Sequence, residues 1–308
     1  MRHWILILFS AVIQLSFGQN VEIAFRLTEK DLIPEGITFD PVTKSFYVSS
    51  INKRKIVKID EKGKVSNLIS SGQDGIGEVL GLKVADGKLW ANNNLSSDTI
   101  SCAMIHQFDL RNGKLIHKWI LHVKGEKHLF NDLAISASGE TFISDSDYGA
   151  VYRVSRDAEM PELWIKDPRL RDINGITTVK SGDIVVNASI GFYRISLKTK
   201  EINVLPFVGY FPLGIDGLNT HKQSLIGIQN VVFPASINQY YLNSAFDQID
   251  SARVLVADHP RFDIPTTGTV VGDWFYFIAN SQLSNFENGK VKEPSKLMEV
   301  LIMKVRLN

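Results

Sequence analysis

The stretch PEGITFDPVTKSFYVSS, residues 34–50, carries the pattern on which the fold reading rests. Glu35 stands between Pro34 and Gly36, at a kink. A short alternating run follows, then a turn built of Asp, Pro and Lys, then a second apolar run that ends in Ser49 and Ser50. Runs of four to eight residues rich in β-branched and aromatic types, bounded by turn residues, read as strands. The same plan returns in LGLKVADGKLWANNN (80–94), NDLAISASGETFISDS (131–146), NGITTVKSGDIVVNAS (174–189), DGLNTHKQSLIGIQN (216–230) and TGTVVGDWFYFIANS (267–281). The lead positions are Glu35, Leu80, Asn131, Asn174, Asp216 and Thr267, spaced 42 to 51 residues apart. Six units of that size, made of short strands, predict an all-β, six-bladed β-propeller.

Third strands are visible in RKIVKID (54–60), IHQFDL (105–110), AVYRVS (150–155) and FYRISL (192–197). Pro and Gly recur too often for long helices. VEIAFRL (21–27) and VLIMKVRL (300–307) are strands without a unit of their own. Their pairing in one blade would close the ring and remove an open edge. The alternative, two sandwich domains, would need a linker, and no linker-like stretch divides the chain. Longer connections are expected at 92–105, 120–130, 206–213, 231–237 and 281–296, some of them covering one face of the disc.

The chain has 308 residues, is 44% hydrophobic and 22% charged, and carries a formal net charge of +1. That is ordinary globular composition, with no basic stripe for nucleic acid and no acidic tail. The first residues, MRHWILILFSAVIQLSFGQN, differ from the rest. A basic start precedes a mostly apolar run from Trp4 to Phe17, then small residues at Ser16 and Gly18. Residues 1–18 read as a signal peptide, with one propeller domain over 19–308 and a secreted or periplasmic mature chain. An uncleaved anchor is the alternative, although the apolar run is short for a span. Cys102 is the only cysteine, so no internal disulfide exists, and a packing role is its default.

In a propeller blade the chain runs from the axis outward, so each lead residue begins an innermost strand beside the central channel. Glu35, Asn131, Asn174 and Asp216 should therefore meet in one ring. The second strands end at the same mouth with Ser49, Asn92, Asp145, Asn187, Asn230 and Asn280, an outer set around that ring. Two buried carboxylates would repel each other and lose hydration, at several kcal/mol per charge. A dication cancels both, and the amide oxygens complete a hard-oxygen donor set. That selects Ca2+, with Mg2+ or Mn2+ behind it, over zinc. Any one of these residues alone has a simpler reading, since Asn before Gly is usually a turn residue. Four at one phase of a repeat are harder to dismiss.

PEG at 34–36, ND at 131–132, NG at 174–175 and DG at 216–217, in this order and spacing, resemble the senescence marker protein (regucalcin)/gluconolactonase family. More distantly they resemble diisopropyl fluorophosphatase and the paraoxonases. The resemblance implies a six-bladed propeller with an axial divalent cation and hydrolysis of lactones or phosphoesters. It implies Glu35, Asn174 and Asp216 as metal ligands and Asn131 as a ligand or substrate contact. Sugar lactonases of this family carry arginine two residues before the Asn of the ND motif; here that position is Leu129. Phe130, Phe211 and Phe233 suggest a more apolar pocket, and His128 and His221 are candidates for the histidine that the paraoxonase-like reading favours.

The expected activity is metal-assisted hydrolysis of a small lactone or ester, with Asp216, Asn131 and His128 as candidate catalytic residues. The cation would polarise a carbonyl oxygen, water would attack, and Asp216, Glu35 or His128 would accept its proton. Binding to calcium lowers a carboxylate's pKa, which favours a base beside the metal over one bound to it. The alternative is a non-catalytic propeller that binds a small molecule or protein and uses the axial metal structurally. A metal-free strictosidine-synthase-like propeller is a third reading, disfavoured by the acid-amide ring.

Overall fold

The computed structural model describes residues 21–96, 101–155, 158–207 and 212–307; the proposed signal segment and Phe211 lie outside the described residues. Six four-stranded antiparallel sheets form a six-bladed β-propeller. Blades I to V run in chain order from their inner strands, Ile37–Asp40, Glu78–Ala85, Phe130–Ile135, Ile176–Thr178 and Ile215–His221, outward. Blade VI closes the ring. Gly268–Val271, Trp274–Ile278 and Val300–Arg306 supply its first three strands, and Val21–Leu27 adds the fourth, antiparallel to Val300–Arg306. The expected pairing of 21–27 with 300–307 is therefore present.

The core is divided as the ring demands. Six apolar clusters each join two neighbouring blades, such as Phe142 and Trp164 of blade III with Ile176 and Tyr193 of blade IV. The sixth packs Ile278 and Ile302 of blade VI on Ile37 and Val48 of blade I. Each such side chain, fully buried, stabilises the fold by roughly 1.5–3 kcal/mol relative to exposure. Both faces of every sheet are covered, which explains strands such as SFYVSS and IVVNA that are buried along their whole length.

One connection was read too long from the sequence. The stretch 92–105 belongs mostly to two nine-residue strands, Lys88–Ser96 and Ser101–Asp109, paired from Lys88–Asp109 to Ser96–Ser101. Asn92 was expected to end the second strand, with Asn93 and Asn94 in the connection. Instead they are buried in a strand, and their amides bond to Asp132 O, His106 Nδ1 and Phe130 O. The connection 281–296 does project from its blade, with a small ribbon of Phe286–Glu287 and Lys290–Val291.

Candidate functional site: an acid-amide hub

The lead residues sit where the inner strands begin, and local backbone irregularity aims them. The pairing of inner and second strands shifts register at Leu80–Gly81, Asn131–Asp132 and Asp216–Gly217. Such bulges re-aim a side chain at the end of a strand. The glycine after the lead residue has a different task. A Cβ on Gly36 would lie 2.1 Å from Leu80 O, and one on Gly175 would lie 2.5 Å from Asp216 O. Neither glycine has a positive φ, so the demand is for room, not for an unusual backbone. Blades I, II, IV and V thus lean this glycine on the lead residue of the next, through Gly36, Gly81, Gly175 and Gly217. Between blades VI and I, Thr267 Oγ1 and Thr266 Oγ1 donate to Glu35 O at 2.6 and 3.0 Å.

The structure brings the four predicted ligands to one mouth of the channel. Glu35 and Asp216 are 5% and 9% exposed and act electrostatically on each other. The Asn174 amide lies close enough to the Asp216 carboxylate to lower its pKa. Asn131 Nδ2 donates to Ser146 Oγ at 3.0 Å. Three oxygens in this ring are buried without a hydrogen-bond partner: Glu35 Oε2, Asn131 Oδ1 and Asn174 Oδ1. A buried acceptor left unpaired costs about 1–3 kcal/mol. Three of them on three of the four predicted ligands match what a hard cation requires. The donors present, two carboxylates and two amides, suit calcium chemistry. Among the described residues no three His, Cys, Asp or Glu side chains come together as metal ligands, so any cation here depends on the amides.

The electrostatics follow from burial. Burial pushes Asp216 up from 3.8 to about 7, against the bond from Asn230 and the lowering effect of the nearby Asn174 amide. Glu35 is raised by burial first, then by the charges of Asp216 and Asp132. Asp132 was not singled out from the sequence, although a carboxylate inside an apolar strand directly after the lead Asn was the signal. It is 5% exposed, raised by burial, and partly relieved by Lys83 and by the backbone N–H groups of Leu133 and Ile176.

The outer set is mixed. Asn230 Nδ2 reaches Asp216 Oδ2 at 2.6 Å, and Ser49 Oγ accepts from Gly36 N at 2.6 Å. Asn92 Nδ2 bonds to the carbonyls of Asn131 and Asp132. Asn187 and Asn280 instead bond to backbone away from the ring, at Gly191, Pro212, Glu299 and Leu301. Asp145 clamps the connection before blade III through Leu129 N, Tyr148 N and His128 Nδ1, the last at 2.6 Å.

His128 is 4% exposed, and its Nε2 lies 3.2 Å from Glu126 Oε2. His221 ends the inner strand of blade V, five residues beyond Asp216 and about 16 Å along it. It faces Asp273 at 3.5 Å, at the opposite mouth, so it does not serve this ring. Phe130 is fully buried against Tyr152, while Phe233 is 87% exposed. Leu129 packs on the apolar cluster of Ile33, Ile51, Leu80 and Leu297, which makes one side of the ring's surroundings apolar. Cys102 is half-buried and free.

No protein-family model and no curated protein matches the chain. Solved structures do. A gluconolactonase of Xanthomonas campestris has a TM-score of 0.61 at 12% identity, over 89% of this chain and 86% of that one. A virginiamycin B lyase of Staphylococcus aureus gives 0.61 at 13%, over 94% and 99%. A PQQ-bound aldose sugar dehydrogenase of Streptomyces coelicolor gives 0.61 at 12%, over 92% and 97%. At such identities the likeness establishes the six-bladed propeller, and three different chemistries on it show that function must be argued from the site.

Proposed function

We propose that this protein is an exported, calcium-dependent hydrolase that opens a lactone or a related ester at the hub. The observation that carries the reading is the set of three unpartnered buried oxygens on Glu35, Asn131 and Asn174, beside the Asp216 carboxylate. These four residues would hold the cation. When bound, it supplies a Lewis acid for a carbonyl oxygen and offsets the charge of the two carboxylates. Asn230 holds Asp216 in one orientation. Asp145 and Glu126 each face one ring nitrogen of His128, at 2.6 and 3.2 Å, which leaves neither nitrogen free to take a proton from water and points to a positioning role for the ring. The apolar surroundings of Leu129 favour a substrate less hydroxylated than a sugar acid. Gluconolactonases among the structures of this fold agree with lactone chemistry.

The test is turnover of aliphatic lactones and aryl esters with calcium and after chelation. Turnover that needs calcium, and that Asn174→Ala and Asp216→Ala each abolish, supports the reading. Wild-type rates in both variants reject it. A chelated protein that loses its fold along with any activity instead favours a structural ion in a binding propeller.

A further inference from the structure

A sizeable cavity lies away from the hub. It has a volume of about 850 Å3 and opens at the other mouth of the axial channel, among Thr38, Thr178, Thr220 and Thr269 near the far ends of the inner strands. From there it runs outward along blade II. Lys83 pairs across the strands with Trp90, Trp90 with Gln107, and Gln107 with His117, and all four line the cavity. Direct cross-strand neighbours stand on one face of a sheet. The row therefore crosses the whole blade from axis to rim, about 14 Å at the usual strand spacing. The facing wall is the turn of blade III at residues 136–139.

Two polar side chains in this row make no hydrogen bond among the described residues. Gln107 is only 6% exposed, yet among the described residues its side-chain amide makes no hydrogen bond. Lys83 is half-buried and forms no ion pair or hydrogen bond among the described residues. The acid that it influences, Asp132, already accepts from Leu133 N and Ile176 N. An accessible amide with four hydrogen-bonding sites and an ammonium with three donors, both lining the cavity, form a recognition row. Thr38, 4% exposed, adds a hydroxyl at the axial end.

We infer that this cavity is a second ligand site, separate from the hub, for a small hydroxylated carboxylate. The carboxylate meets the Lys83 ammonium. The hydroxyl-bearing body lies outward along the row, exchanging hydrogen bonds with the Gln107 amide. One lysine without an arginine fork matches a single carboxylate better than a phosphate, whose recognition favours paired planar donors. Trp90 lines the cavity and stacks on Trp119 at 5.3 Å, so occupation should change indole fluorescence.

The test titrates gluconate into calcium-free protein in excess EDTA, read by calorimetry and by tryptophan fluorescence. The expected result is saturable binding. Lys83→Met should weaken it by about tenfold or more, and Gln107→Leu by severalfold. Lys83→Arg should keep most of it, and the hub variant Asn174→Ala should leave it unchanged. Circular dichroism and melting curves check each fold; if Lys83→Met does not fold, Gln107→Leu and Lys83→Arg decide. No saturable binding, binding indifferent to Gln107 and Lys83, or loss in Asn174→Ala would each overturn the inference. Because the hub is stripped of metal throughout, the result is independent of whether the hub is catalytic.

Discussion

Asn230 Nδ2 donates to Asp216 Oδ2 at 2.6 Å and to Pro265 O at 2.9 Å. One amide at the end of a second strand thus ties the hub carboxylate to the backbone leading into the next blade. Asn174 stands beside Asp216, and its own Oδ1 remains buried and unpartnered. Asp216 is therefore held in place by the Asn230 amide, with a free acceptor of Asn174 next to it.

Removal of that hold should be felt by a cation before it is felt by the fold. Asn230→Ala is expected to weaken calcium binding about tenfold to a hundredfold, the usual effect of losing a partner that orients a ligand. Titration calorimetry on the folded variant checks this. Unchanged affinity would mean that Asn230 serves only the loop at Pro265.

The glycines that follow Glu35, Asn174 and Asp216 should be stability determinants. Gly175→Ala places a methyl 2.5 Å from Asp216 O and 2.6 Å from Leu218 Cβ, in backbone and side chains that cannot swing away. The expected cost is about 1–3 kcal/mol, as for other overpacked sites. Urea denaturation measures it. A cost near zero would show that the blades can separate at the hub without penalty.

Stability without calcium should fall as pH rises. Asp216 moves from 3.8 in the unfolded chain to about 7 in the fold, and Glu35 shifts in the same direction. The fold therefore binds protons that the unfolded chain has released. This contribution is fully present below about pH 4 and is lost as pH climbs to about 7. Melting temperatures of EDTA-treated protein should decline across that window. The decline should be smaller in Asp216→Asn and should vanish under saturating calcium. An equal slope in wild type and Asp216→Asn would count against a buried, ionising Asp216.

Closure rests on the first strand. Val21–Leu27 pairs from Val21–Val305 to Leu27–Val300, with one irregularity at Ile23–Phe25. A chain lacking residues 21–27 would leave Val300–Arg306 as a bare edge, which invites edge-to-edge pairing. Light scattering should show concentration-dependent association of that truncated chain. A monodisperse, equally stable product would show that blade VI needs only three strands.

Much of this was legible in the sequence because a propeller repeats. The turn-strand-turn-strand phrase returns at fixed phase, so Glu35, Asn131, Asn174 and Asp216 could be placed in one ring before any coordinates. What resisted reading were residues whose partners are distant in sequence. Asn92 was placed at a strand end, and Asn93 and Asn94 in a connection, because nothing local shows that Asp132 O and Phe130 O wait across a blade boundary. The second-strand residues share one phase, but their side chains diverge: Asn230 turns to the hub, and Asn187 turns to Pro212. His221 shares a strand with Asp216, but strand length separates them. Gly175 read as a turn signal, whereas the fold uses it to let a blade approach Asp216.

The account depends on the hub taking up a divalent cation through Glu35, Asn131, Asn174 and Asp216. Calcium titrated into EDTA-dialysed protein by calorimetry measures that directly. A saturable site that Asp216→Ala abolishes and Asn174→Ala weakens at least tenfold is the predicted result. Absence of binding in the folded wild type, or equal binding by Asp216→Ala, would contradict it.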